Sequence, residues 1–157
     1  MHKQILKTKI EDLEEIWKET REWKPGKNNR IGFYRYLQAV YKFYAQLRKT
    51  KGATKKARDK IIKIYKLSTN KQSHPLNAII SGSCGENKKT QSRWAQALRY
   101  AWKYRHKGKA KNITMMKFLE LNGGAAGCAA KFAKKAKPSL KTPKKGSAVP
   151  HSLKHRP

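Results

Sequence analysis

Downstream of Glu22 the chain is almost without carboxylates. Residues 23–157 hold Asp59, Glu86 and Glu120 as their acids, against 34 of the 39 lysines and arginines. Residues 1–22 differ in kind, with six acids, five cations and a net charge of −1, which leaves +31 on the rest of the chain. A surplus of that size repels itself in a compact state. Apolar and cationic residues must therefore lie on separate faces of each element, and the natural partner is a polyanion. A protein that neutralises phosphates gains affinity by releasing their condensed counterions. An anionic membrane surface competes for the same role, because polybasic segments bind there too.

Apolar residues are 38% of the chain, with 4 Trp, 7 Tyr and 4 Phe among them, so a core is available and the chain is not a disordered polycation. Its 157 residues suit one domain. No run approaches the roughly 18 apolar residues of a membrane span. The opening "MHKQILKTKIEDLEEIW" lacks the apolar region of a signal peptide. Cys84 and Cys128 give no disulfide framework. These features point to a soluble cytoplasmic protein with reduced thiols, nucleoid-associated if DNA is its partner.

Hydrophobic periodicity predicts an all-α fold, with no internal repeat and no strand pattern. Residues 3–22 read as an acidic amphipathic helix with Ile10, Leu13 and Trp17 on one face. It is expected to form a separate segment, residues 1–24, ended by the Pro25–Gly26 turn signal. Residues 30–49 carry the strongest period. Phe33, Tyr36, Leu37, Val40, Tyr44 and Leu47 form a stripe, and Arg35, Gln38, Lys42, Gln46 and Lys49 lie opposite. A helix over 54–67 takes Thr54 as its N-cap and turns Ala57, Ile61, Ile64 and Tyr65 inward. Residues 73–81 form a short helix with Pro75 in its first turn, and "GSCGEN" is a loop. Residues 88–106 make a long helix. A short helix over 113–121, capped by Asn112, and another over 125–137 follow across Asn122–Gly123–Gly124. Residues 28–137 constitute the predicted helical domain. From Pro138 the chain has four prolines, no acid and little apolar content, the composition of a disordered basic tail over 138–157.

The stretch "QSRWAQALRYAWKYRHKGK", Gln91–Lys109, mixes aromatic and cationic residues densely. On a helical wheel Trp94, Ala97, Leu98, Ala101 and Trp102 form one apolar face. Lys88, Lys89, Ser92, Gln96, Arg99, Lys103, His106 and Lys107 fall opposite. That second face reads as a stripe that tracks phosphates, with Gln96 adding a hydrogen bond to backbone or base. The plain alternative is a solvated helix face. Soluble faces normally mix both signs of charge, whereas no acid occurs between Asn87 and Lys109. Tyr100 and Tyr104 flank the stripe, where they either stack on unpaired bases or border the core. Arg105 falls on the apolar side and is expected to snorkel outward.

"NITMMKFLELNGGAAGCAAKFAKKAK" reads as helix, glycine turn, helix. Its first helix presents Ile113, Met116 and Leu119, and the second turns Ala125, Cys128, Ala129, Phe132 and Ala133 inward. The outer face of the second carries Gly127, Ala130, Lys131, Lys134 and Lys137, small residues beside lysines that allow close approach to a groove or phosphate row. The pattern is like that of a helix-turn-helix. It departs from one at Leu119 and Glu120, where a small residue belongs, and in the absence of Asn, Gln or Arg for reading base edges. A plain αα-hairpin that closes the core is the alternative.

Catalytic and metal chemistry find little support. His74, His106 and Glu86 are the candidates for a metal-independent nuclease, with helix capping the plain alternative for His74, which precedes Pro75 at a helix start. Three acids after residue 22 do not furnish a two-metal site. Cys84, His106 and Cys128 lack the close ligand pairs of zinc sites. Cys128 lies on an apolar face, while Cys84, in a Gly-flanked loop, is expected to be exposed. Neither a Walker A motif nor GxGxxG occurs. The reading is of a protein that is not an enzyme and takes no metal or cofactor.

The segments "HPLNAIISGSC", "SRWAQALRYAWKYR" and "FLELNGGAAGCAAKFA", within residues 74–133, resemble small basic bacterial proteins of unknown function found among accessory genes. That resemblance implies no established activity. The tail is similar to linker-histone tails in composition alone. Together these readings predict a nucleic-acid-binding accessory or regulatory protein, with DNA favoured over RNA. It would act mainly through phosphate contacts and with low sequence specificity, from Lys88, Lys89, Gln96, Arg99, Lys103, Lys107, Lys131, Lys134, Lys137, Arg35, Lys42 and Lys49. The alternatives are an RNA- or ribosome-binding protein, an interaction protein whose acidic N-terminal helix masks the basic face, and a membrane-surface binder. The aromatic content leaves room for a homodimer interface.

Overall fold

The computed structural model describes residues 2–22, 29–68, 72–107 and 112–136. The tail over 138–157, Lys137 and the Pro25–Gly26 turn lie outside the described residues. Among the described residues the fold is all-α, with no strand. The helices are α1 (Lys3–Glu22), α2 (Asn29–Arg48), α3 (Ala53–Ile64), α4 (Pro75–Ser83), α5 (Lys88–Tyr104), α6 (Met115–Leu121) and α7 (Gly124–Ala136).

α2 is the spine of the core, packing against α1, α3, α4, α5 and α6. Its predicted stripe is buried at Tyr36, Leu37, Val40, Tyr44 and Leu47, but Tyr34, Tyr41 and Phe43 are buried as well. A helix enclosed on several sides hides more than one stripe, so the wheel understates its buried face. Two aromatic clusters hang from it. In the first, the Trp94 ring lies 4.6 Å from Phe33 and 5.3 Å from Trp17, and Trp17 lies 5.2 Å from Tyr36. In the second, Tyr44 meets Trp102 edge-on at 5.2 Å, and Tyr41 lies 5.6 Å from the same indole. A buried hydroxyl pair is satisfied: Tyr36 Oη donates to Ser83 Oγ at 2.8 Å, and Ser83 donates to the Ile79 carbonyl at 2.7 Å.

Leu6, Ile10, Leu13 and Trp17 of α1 belong to the same core as α2 and α5. The acids of α1 face outward and pair along the helix, Lys7 with Glu11 at 3.6 Å and Lys18 with Glu14 at 2.8 Å.

Several boundaries shift for local reasons. Thr54 does not cap α3, because Gly52 takes the left-handed conformation at φ 76° and starts the helix at Ala53 without a side-chain cap. The helix ends at Ile64, and Lys66 turns left-handed at φ 48°, short of the expected residue 67. The cap of α6 is Thr114 rather than Asn112, its hydroxyl accepting from the Lys117 amide at 3.2 Å. α4 begins with Pro75, and the loop after it is held by Gln91. The Gln91 amide donates to the Cys84 and Glu86 carbonyls at 3.1 and 2.8 Å and accepts from Ser81 at 2.8 Å. This enclosure leaves Cys84 buried, against the expectation of an exposed thiol.

The glycines of "NGGAAG" have separate tasks. Gly123 and Gly124 are both left-handed, at φ 82° and 73°. A Cβ on Gly127 would stand 2.1 Å from the Asn122 carbonyl oxygen, closer than any contact allows. Gly127→Ala is therefore expected to destabilise the fold by about 1–3 kcal/mol through backbone displacement. Gly85→Ala, where a Cβ meets nothing within 4 Å, is expected to leave it unchanged. Urea unfolding of the two variants beside the parent checks both outcomes.

Candidate nucleic-acid interface

α5 begins where Asn87 caps it, its Oδ1 accepting from the Thr90 amide at 2.9 Å. The helix buries Trp94, Ala95, Ala97, Leu98, Tyr100 and Ala101. Lys88, Lys89, Lys103 and Lys107 of the opposite face are exposed, while Gln96 and Arg99 are half-buried. The cause is α7, which packs along α5 and buries Ala125, Cys128 and Ala129 against it. The predicted ridge is thus divided into two parts by a docked helix.

The first part is a shallow groove of about 580 Å³ between the two helices. Lys89, Ser92, Arg93 and Gln96 line its α5 side, and Ala126, Ala129, Ala130 and Ala133 its α7 side. The small residues of α7 leave its floor open. Lys131 and Lys134 are exposed on α7. Lys131 donates to Asn122 Oδ1 at 2.9 Å and so braces the glycine turn.

The second part is a cleft of about 590 Å³ at the far end of α5, with Arg99, Lys103, Lys107 and Lys135 among its lining. Tyr44, His74, Trp102 and Phe132 supply rings between them. Among the described residues no carboxylate lines it. Its cations are seated on ring faces: the Arg99 guanidinium lies 4.5 Å from the Phe132 centroid, and the Lys135 ammonium 4.0 Å from that of Tyr104. Lys103 and Lys107 stand 5.6 and 5.9 Å from the Tyr104 ring. Desolvation pushes the Tyr104 phenol up, but the hydrogen bond to Lys135 and the charges of Lys103 and Lys135 outweigh it and hold the group below the ordinary phenol range.

Of the remaining sequence-predicted positions, Lys88 donates to Ser68 at 2.8 Å. Arg35 stands 3.8 Å from Glu19 in an exposed pair. Lys42 is exposed on α2 and Lys49 just past its end, and Lys137 falls outside the described residues. Tyr100 is buried, with its ring 4.6 Å from Tyr104 and 6.0 Å from Phe118, so it is not a stacking platform. His106 leaves the stripe because α5 has already ended at Tyr104; its Nε2 lies 3.2 Å from Tyr41 Oη. Arg105 does not snorkel free. Its Nε donates to the Ile113 carbonyl at 3.1 Å, and its guanidinium lies 5.5 Å from the Tyr41 ring.

Of the nuclease candidates, His74 Nε2 lies 3.4 Å from Tyr44 Oη, His106 Nε2 lies 3.2 Å from Tyr41 Oη, and the Glu86 carbonyl accepts from Gln91. Among the described residues no group of three His, Cys, Asp or Glu is placed to hold a metal ion. Both thiols are buried, and desolvation pushes that of Cys128 up to about 11. No helix among the described residues is long and apolar enough to cross a membrane.

Sequence reasoning missed the cleft itself. Tyr44 and Trp102 read as core, His74 as a cap, and Lys135 has no sequence signal of its own. The capping is real: His74 Nδ1 accepts from the Leu76 amide at 3.2 Å. The available signal was the run of alternating rings and cations over Arg99–Arg105, but nothing local says that Lys135 returns to it. Comparisons with protein-family models, with curated proteins and with solved structures find no match to this chain.

His74 supplies a pH-dependent element of stability. Burial, reinforced by the charges of Arg99, Arg48 and Arg58, lowers its pKa from 6.5 to about 4. The unfolded state therefore binds this proton first. The stability that depends on neutral His74 is complete above 6.5 and is lost as the pH falls towards about 4. Replacement His74→Asn keeps a capping acceptor but removes the titration. Urea unfolding at about pH 7 and about pH 4.5 is expected to show a smaller loss of stability in the variant than in the parent.

Proposed function

We propose that the protein binds nucleic acid, with DNA the favoured partner, as an accessory or regulatory factor that contacts mainly backbone phosphates and has low sequence specificity. One observation carries this reading: Arg99, Lys103, Lys107 and Lys135 are positioned by aromatic rings and not by carboxylates. A carboxylate partner cancels the charge that it orients. A ring face restricts the side chain while leaving the full positive charge for an incoming anion. The groove beside Lys89 and Arg93 is a second cationic surface along α5. Lys131 and Lys134 on α7 add phosphate contacts in this reading.

The masking alternative is less well supported. α1 is bound into the core through Leu6, Ile10, Leu13 and Trp17, so its removal exposes that core rather than uncovering a binding face. The RNA alternative loses Tyr100 as a stacking residue, since it is buried.

The test is affinity for random-sequence duplex DNA across a salt series. Log affinity is expected to fall with log salt by about 0.9 for each phosphate neutralised. Changing Lys103, Lys107 or Lys135 singly to Gln is expected to flatten that slope by up to about 0.9 each. A slope near zero for the parent chain refutes the proposal.

A further inference from the structure

The cleft has more structure than a phosphate-tracking surface requires. A duplex presents a convex row of phosphates with its bases stacked inside, and lysines on an open helix face suffice to meet it. Here the cations surround a recess that includes Tyr44, His74, Trp102 and Phe132. Its volume of about 590 Å³ lies within the range of small-ligand pockets, about 300–1,000 Å³. The Trp102 indole is only partly buried.

The hydrogen bonding at the recess is directional. His74 Nδ1 is occupied as an acceptor for the Leu76 amide. The neutral ring therefore carries its proton on Nε2, which lies 3.4 Å from Tyr44 Oη and donates to it. Tyr44 then retains its own hydroxyl proton for another acceptor, at the lining of the cleft. The recess thus combines ring surface, a hydroxyl donor and a rim of cations without any carboxylate. The chemistry that matches it is a planar, acceptor-bearing ring joined to phosphate.

We propose that this cleft receives an unpaired nucleotide of the bound nucleic acid, its base against the Trp102 side of the recess and within reach of the Tyr44 hydroxyl, its flanking phosphates on Arg99, Lys103, Lys107 and Lys135. The proposal rests on the nucleic-acid reading above and assigns a preferred form: a strand end, gap or single-stranded segment rather than a continuous duplex. Base–aromatic contact of this kind tolerates sequence, because every base has a π-face. The low specificity of the phosphate surface is therefore preserved.

The test uses the full chain and three probes at one salt concentration: a blunt duplex, the same duplex with a short single-stranded extension, and a third whose extension carries the same phosphates but abasic sugars. The normal extension is expected to bind at least about fivefold more tightly than the abasic one. The ratio between the two is the readout, so a general change in affinity cancels from it. Tyr44→Phe, which keeps the ring and its packing, is expected to lower the ratio by about threefold. Trp102→Leu is expected to lower it further, with its folding followed by thermal unfolding.

Equal binding of normal and abasic extensions, with steep salt dependence retained, overturns the cleft assignment and leaves the phosphate reading intact. A preference that survives in both variants also overturns it, since the base is then held elsewhere. Saturable binding of a free nucleoside 5′-monophosphate, without any difference between the extensions, reassigns the cleft to a free nucleotide and overturns the proposal. Failure to bind any of the three probes removes the nucleic-acid reading itself.

Discussion

The Arg99 guanidinium over Phe132 and the Lys135 ammonium over Tyr104 represent the interaction on which this molecule depends. With so few carboxylates after α1, Arg99, Lys103, Lys107 and Lys135 have ring faces as their partners. Among the described residues no salt bridge involves a residue of α5 or α7, while cation–ring contacts join Arg99, Lys103, Lys107 and Lys135 to Phe132, Tyr100 and Tyr104. The exchange costs little in stability. A cation on a ring contributes about 0.5–1 kcal/mol when exposed and about 2 when desolvated. An exposed ion pair contributes about 0–1 kcal/mol. What changes is the field, because rings hold the cations in place without neutralising them, and the surface keeps its positive potential.

That choice also explains the position of the acids. Six of the nine lie in residues 1–22. On α1 they pair with lysines of their own helix, at 3.6 Å for Lys7–Glu11 and 3.5 Å for Lys9–Asp12, and Glu19 reaches Arg35 of α2. Trp17 of the same helix lies against Trp94 of α5. The acidic helix is thus tied to the cationic one through the core, by apolar contacts, while its charges face solvent. Acids and cations nearly balance on α1, whereas α5 and α7 carry cations alone, and the short range of screened electrostatics in salt keeps the two regions from cancelling at a distance.

Much of this was legible in the sequence because helical periodicity is a local signal. The stripe of α2 and the two faces of α5 follow from the spacing of Tyr36, Val40 and Tyr44 and of Trp94, Leu98 and Trp102. The capping of α4 by His74 follows from a His–Pro pair at a helix start. What spacing does not encode is which helix lies on which. Gln96 and Arg99 read as an open stripe, yet α7 half-covers them. Tyr100 reads as a flank, yet Phe118 of α6 and Tyr104 close over it. Cys84 reads as an exposed loop residue because the clamp made by Gln91 joins residues across a turn that a wheel does not represent. The cleft was invisible for the same reason, since its members come from α2, α5, α7 and the start of α4.

The glycine motif connects the fold to the cleft. Gly127 approaches the Asn122 carbonyl more closely than any side chain permits, and a Cβ on Gly124 would meet the Tyr34 hydroxyl at 3.0 Å. These contacts fix where α7 starts relative to α2 and to its own turn. A helix is stiff along its axis and rises about 1.5 Å per residue. The start of α7, together with the packing of Cys128 and Ala129, therefore sets where Phe132 and Lys135 stand two and three turns later. Those two residues are the ones that seat Arg99 and cover Tyr104. A displacement at the turn is carried along the rod to the cation cluster at its other end. "NGGAAG" thus acts at a distance on the binding surface, although none of its residues lines the cleft.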